Sequence, residues 1–156
     1  MPPPPPTSCW WNSQPRYSMP ESPKYYDRLR RKWVAATPEE RVRQWFIDLL
    51  AETAGVPDWM MMSEVPMKYG QKSWRADIVV YSGDGSPLAI VECKRPGVEL
   101  GSSVAEQALR YSTVQQVAYI FLTNGTQTYA YGRTENGFEA LAKIPTYQEM
   151  KEKCRH

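Results

Sequence analysis

Two β-rich segments, residues 74–81 and 87–94, set Asp77, Glu92 and Lys94 on one face of a hairpin. Between them, Ser82-Gly83-Asp84-Gly85-Ser86 is a strong turn signal. With the hairpin centred between Asp84 and Gly85, residues whose numbers sum to 169 face each other, so Asp77 lies opposite Glu92. Directly opposed residues sit about 4.5–5.5 Å apart at Cβ. Two carboxylates at that distance repel unless something positive lies between them, and a divalent cation accounts for the pair better than folding stability does. Glu92 and Lys94 are two apart, so the strand period points an amine the same way. The argument depends on register, since a slip of one residue would send these side chains to opposite faces.

The flanking pattern describes what must hold these groups. Val79, Tyr81, Leu88 and Ile90 fall on the carboxylate side; Ala76, Ile78, Val80, Ala89, Val91 and Cys93 fall on the other. Strands that are apolar on both faces need covering layers on both, which implies an α/β sandwich. Residues 24–32 read as a short basic helix. Thr37-Pro38-Glu39-Glu40 starts a second helix, with Thr37 as cap, Pro38 at the first position and Glu40 placed to close a capping box. Val42, Trp45, Phe46, Leu49 and Leu50 continue it at helical spacing until Gly55 and Pro57. A strand over 60–69 leads into the hairpin. A helix over 102–115, a buried strand over 117–122, a turn at Asn124-Gly125, a strand over 126–131 and a last helix over 147–153 complete the order. The expected fold is α/β, a central mixed sheet of four to five strands flanked by helices. Residues 1–23, with Pro2–Pro6 and prolines 15, 20 and 23, read as a polyproline-type or disordered tail carrying Trp10 and Trp11. Residues 24–156 read as one domain.

Composition removes several classes of chemistry. The only histidine is His156, which excludes a Ser-His-Asp triad, an H-E-x-x-H zinc site and a histidine-based nuclease centre. Three widely spaced cysteines, with no C-x-x-C pair, indicate neither a disulfide framework nor a zinc site. No phosphate-binding G-x-x-x-x-G-K-[ST] loop, membrane-length apolar run or signal pattern occurs. A reducing, cytoplasmic setting without membrane contact is the default. A net charge of +2 is only mildly basic, although residues 24–43 hold seven Lys or Arg against three acids. Any hydrolysis must therefore run on carboxylates, lysine and a hard cation.

Asp77, then Glu92-Cys93-Lys94 fifteen residues on, then a helix carrying Gln107 and Tyr111, resembles the PD-(D/E)XK nuclease superfamily with its Q-x-x-x-Y variant. The segments Thr37–Gln44, Arg75–Tyr81, Ile90–Lys94 and Leu122–Gly125 resemble the N-terminal nuclease domain of type I restriction enzyme R subunits, and more closely small standalone relatives of it. The resemblance spans roughly residues 24–147. Ala76 replaces the proline of the superfamily's name, and no helicase motor follows.

The resemblance implies a restriction-endonuclease-like αβββαβ core and an Mg²⁺-dependent endonuclease acting on DNA, with Mn²⁺ as a substitute. Asp77, Glu92 and the backbone carbonyl of Cys93 would ligate the ion, with the Cys93 thiol facing away. Lys94 would orient or deprotonate the attacking water, or stabilise the pentacovalent state. Gln107 and Tyr111 would reach the same site or a DNA phosphate, and Glu40 would join the metal shell. DNA, a second copy of the chain and separate restriction or repair subunits are the implied partners. Plainer readings stand beside these. Glu92 and Lys94 could form a surface ion pair, the capping box explains Glu40 fully, Glu64 is the weakest acid in the set, and Gln107 and Tyr111 could be packing residues. A catalytically inactive nuclease-fold module for DNA binding or assembly, and an interaction domain recruited through the proline-rich tail, are the alternatives.

Overall fold

The computed structural model of the protein describes residues 23–102, 105–106, 109 and 116–154. The first element differs from the sequence expectation. Instead of a basic helix, β1 (Lys24–Asp27) and β2 (Lys32–Ala35) form an antiparallel hairpin. Asp27 explains the difference, because its Oδ1 accepts the backbone N–H groups of Leu29 at 2.8 Å and Arg30 at 3.0 Å. Such local bonds offer the backbone an alternative to helix, and Arg31 completes the turn at a φ of 53°.

Helix α1 (Pro38–Glu52) begins as its sequence predicts, with Thr37 accepting the N–H of Glu40 at 3.1 Å. The other half of the capping box does not close in the usual way. The Glu40 carboxylate turns to Arg30 and Arg43, and the Thr37 N–H donates to the Ala35 carbonyl at 2.9 Å. A short 3₁₀ turn at Asp58–Met60 leads to the main sheet. Arg28 anchors the β1–β2 hairpin to this region by donating to Asp58 at 3.0 Å and to Asp48 at 3.3 Å.

The sheet contains β3 (Met61–Tyr69), β4 (Lys72–Tyr81), β5 (Pro87–Cys93), β6 (Tyr119–Thr123), β7 (Thr128–Thr134) and β8 (Gly137–Leu141). These six strands lie side by side in chain order, one more than the upper end of the expected count. The additional strand is β8, a partly exposed edge whose mixed residues carry little alternation. Neighbours are antiparallel except β5 and β6, which are parallel and make the sheet mixed. Helix α2 (Tyr147–Lys153) follows, capped by Thr146. Its Tyr147 hydroxyl donates to the Tyr81 carbonyl at 2.8 Å, tying the last helix to the end of β4.

The core divides between the two sheet faces. Val42, Phe46, Ile47 and Leu50 of α1 bury one face against Ile78, Val80, Ala89, Val91 and Cys93. On the other, Val79, Ile90, Ile120 and Leu122 pack with Leu100, Ala105 and Leu109, the last two from the helix expected over 102–115. Two residues change sides relative to the alternation. Leu88 joins the α1 face because the β4–β5 register shifts between Val80 and Tyr81, and a bulge of this kind reverses the facing of the residues beyond it. Ala76 joins the opposite face, so alternation along β4 is also broken beside Asp77.

Phe46 is fully buried and meets the Phe121 ring at 6.2 Å. Phe46→Ala is expected to cost about 3–5 kcal/mol, read as a lower urea midpoint with an unchanged m-value.

Candidate metal centre

The register inferred for the central hairpin is the register observed. Ile78, Val79 and Val80 pair with Val91, Ile90 and Ala89. The paired ladder ends at Ile78 and Val91, and Asp77 takes over from the backbone at that point. Its Oδ2 accepts the Cys93 N–H at 2.8 Å. On its far side β5 stays paired with β6, Glu92 beside Leu122 and Cys93 beside Thr123. The Lys94 N–H then donates to the Thr123 carbonyl at 2.8 Å. β4 thus positions Asp77, β5 positions Glu92, and β6 fixes the backbone from which Lys94 projects.

The register sets Asp77 across from Glu92, where the two carboxyls act on each other. The Glu92 carboxyl is pushed up to about 8, first by burial and then by the negative charge of Asp77, with Lys94 and the Trp74 indole pulling the other way. A hard divalent cation at this position would do the proton's work with two charges instead of one. The donors suit it: two carboxylates and the backbone carbonyl of Cys93 are hard oxygen ligands of the type Mg²⁺ accepts. The Cys93 side chain is buried in the α1 face, and burial drives its thiol well above the ordinary range, so it is no nucleophile. Among the described residues no group of three or more His, Cys, Asp or Glu side chains is placed to hold a metal ion. Such an ion would keep several waters.

Glu40, expected in the metal shell, faces elsewhere. One oxygen accepts from Arg30 and the other from Arg43 Nη1 at 2.5 Å. Arg43 stands between it and the carboxylate pair, donating from Nη2 to Asp77 Oδ1 at 2.9 Å. Glu64, on β3, accepts from Arg30 Nη1 at 2.9 Å. Gln107 and Tyr111 lie outside the described residues. An open cleft of about 480 Å³ adjoins this network, lined in part by Thr37, Glu39, Glu40, Arg43, Glu64 and Arg95.

Sequence reasoning missed Arg30 and Arg43. A signal existed for Arg43, which occupies the buried stripe of α1 with Phe46, Ile47 and Leu50 at helical spacing. A cation on such a stripe needs an acidic partner. Arg30 gave no comparable signal within a run of basic residues.

The profile of the family described as "Type I restriction enzyme R protein N terminus (HSDR_N)" matches residues 38–145. The chain belongs to that family. A stretch of 50 residues is 40% identical to the type I restriction enzyme EcoAI endonuclease subunit of Escherichia coli, covering 32% of this chain and 6% of that protein. Among solved structures, a fragment of a candidate HsdR subunit of a type I restriction enzyme from Vibrio vulnificus YJ016 superposes with a TM-score of 0.56 at 19% identity, over 74% of this chain and 25% of that one. A candidate nuclease of the DUF820 group from Anabaena variabilis ATCC 29413 superposes with a TM-score of 0.51 at 13% identity, over 86% of this chain and 88% of that one. The chain therefore spans a small part of the R-subunit relatives and nearly all of the DUF820 protein. At these identities the superpositions establish a shared α/β fold. No helix of the described residues in this R-protein N-terminal domain is long and apolar enough to cross a membrane.

The raised Glu92 carboxyl has a stability consequence. Protonation of Glu92 favours the folded state fully below its ordinary value of 4.5, and that contribution is lost as pH rises through about 8. In chelator, Glu92→Gln is expected to melt progressively higher than the wild type as pH rises from 5 to 8.5. A melting difference that stays flat across that interval would contradict the raised Glu92 carboxyl.

Proposed function

We propose that this domain is a metal-dependent deoxyribonuclease of the PD-(D/E)XK type, with Mg²⁺ as its ion and Mn²⁺ as a substitute. The observation that carries the reading is the hairpin register that sets Asp77 across from Glu92, with Lys94 just past the end of the same strand. Asp77, Glu92 and the Cys93 carbonyl would hold the ion. When bound, it supplies Lewis acidity to the phosphoryl oxygens and acidifies a ligated water.

The chain's own residues do the rest. Asp77 and Glu92 are fixed by neighbouring strands, so their separation resists collapse when charge changes between them. Lys94 extends from a backbone pinned by β6, within electrostatic reach of Glu92. From there its ammonium would orient the attacking water or stabilise the negative charge that develops on the phosphoryl oxygens. Arg95 is exposed at the adjoining cleft and offers a cation suited to a DNA phosphate. The family match and the R-subunit relatives support DNA as substrate and separate restriction subunits as partners. Such a reading places the protein in the cytoplasm, in keeping with Cys93 and Cys154 being free thiols.

One observation favours the other reading, a nuclease fold that binds DNA without cutting it. Both oxygens of Asp77 already have protein donors, Arg43 and the Cys93 N–H. Plasmid and single-stranded DNA incubated with Mg²⁺ or Mn²⁺ separate the two. Cleavage is expected, and Lys94→Ala should lower its rate by about 10²–10⁴-fold without changing the circular dichroism spectrum. DNA retention in a gel shift without cleavage under any divalent ion would favour the binding module.

A further inference from the structure

We propose that Arg43 is the positioning residue for Asp77, and that Glu40, Glu64 and Arg30 form the frame that holds it. The inference rests on the reading of Asp77 as a metal ligand and adds a residue to it.

Stability alone does not account for Arg43. Its side chain is 9% exposed, and its guanidinium lies at 2.9 Å from Asp77, 2.5 Å from Glu40 and 3.6 Å from Glu64. Burying a charge at a position where the helix otherwise carries Phe46, Ile47 and Leu50 is costly, and a well-packed apolar residue is often as stable or more so. What an apolar residue cannot do is hold a carboxylate at a set angle. The guanidinium is a rigid fork. One arm is clamped by Glu40, one turn back on the same helix, and the other meets Asp77 Oδ1. With Oδ2 held by the Cys93 N–H, the Asp77 carboxylate has no rotational freedom, and each oxygen keeps a second lone pair for an ion.

Glu64 supplies an independent observation. Its neighbours Ser63 and Val65 pair with Ile78 and Ala76, so it lies across from Asp77 on the adjacent strand. Its φ is 51°, in the left-handed region that a non-glycine strand residue avoids. Strain of this kind costs on the order of 1–3 kcal/mol and persists where surrounding structure enforces it. Here it directs the Glu64 carboxylate towards Arg30 and Arg43. Arg30 is in turn fixed by the fully buried Asp27 and reaches Glu40. The chain of contacts therefore runs from the β1–β2 hairpin to Asp77.

The test measures Mn²⁺ binding to the full chain by electron paramagnetic resonance, with thermal melts alongside. For the wild type, binding is expected. Arg43→Lys, which keeps the charge and loses the fork, should weaken it about 10–100-fold. Glu40→Gln, which leaves Arg43 in place but loosens its clamp, should weaken it several-fold and broaden the bound spectrum. A merely structural Arg43 would lower melting temperature while leaving Mn²⁺ affinity unchanged. Affinity equal to or tighter than wild type in either folded variant overturns the proposal, because removing a competing cation would then be the larger effect. Absence of Mn²⁺ binding by the wild type overturns the metal-centre reading itself, a different outcome from normal wild-type binding with unaffected variants. Should Arg43→Lys fail to fold, Glu40→Gln decides.

Discussion

Like charges meeting at the end of a buried hairpin are the constraint around which this domain is organised. Two unit charges 4 Å apart at an effective dielectric of about 20 interact by about 4 kcal/mol, and apolar packing of β4 against β5 does nothing to relieve that. The structure relieves it in three ways at once. Burial and the Asp77 charge push the Glu92 carboxyl up so that it holds its proton more readily, Asp77 receives the guanidinium of Arg43, and Lys94 stands nearby as a second cation. Asp77 comes from β4, Glu92 and Lys94 from β5 and the residue just past it, and Arg43 from α1, so β4, β5, β6 and α1 must all be in register before the acids can coexist. That is why the central strands are apolar on both faces, with the tolerance for charge confined to one end.

The parts of the fold written in local pattern were readable in advance. Helix α1 carries its cap, its proline and its apolar stripe between Thr37 and Leu50, and the β4–β5 register follows from one turn and the alternation beside it. What escaped was decided by contacts distant in sequence. Residues 24–32 have the composition of an exposed helix, and only the side chain of Asp27, bonding back to Leu29 and Arg30, turns them into a hairpin. The edge strand β8 is specified by pairing with β7 more than by its own residues. At the site, the placement of Asp77 across from Glu92 was legible because one turn sets the hairpin register. Arg43 was not, because its role exists only when a helix from one part of the chain meets a strand more than thirty residues later.

The family relation and the physical reading have different reach. Membership accounts for residues 38–145, and the superpositions for the shared α/β fold. It leaves aside the β1–β2 hairpin, which precedes the matched segment and yet contributes Arg28 and Arg30 to contacts with α1, the 3₁₀ turn and β3. The hairpin is therefore an integral wall of the domain.

This has a practical corollary for dissecting the chain. A boundary drawn at the start of the family match would discard Arg30 along with the first thirty-seven residues. Glu40 and Glu64 would then compete for the single guanidinium that also steadies Asp77. The trimmed domain could keep its sheet and its helices while its acidic centre drifted out of alignment, so an inert fragment would testify to the cut and not to the protein.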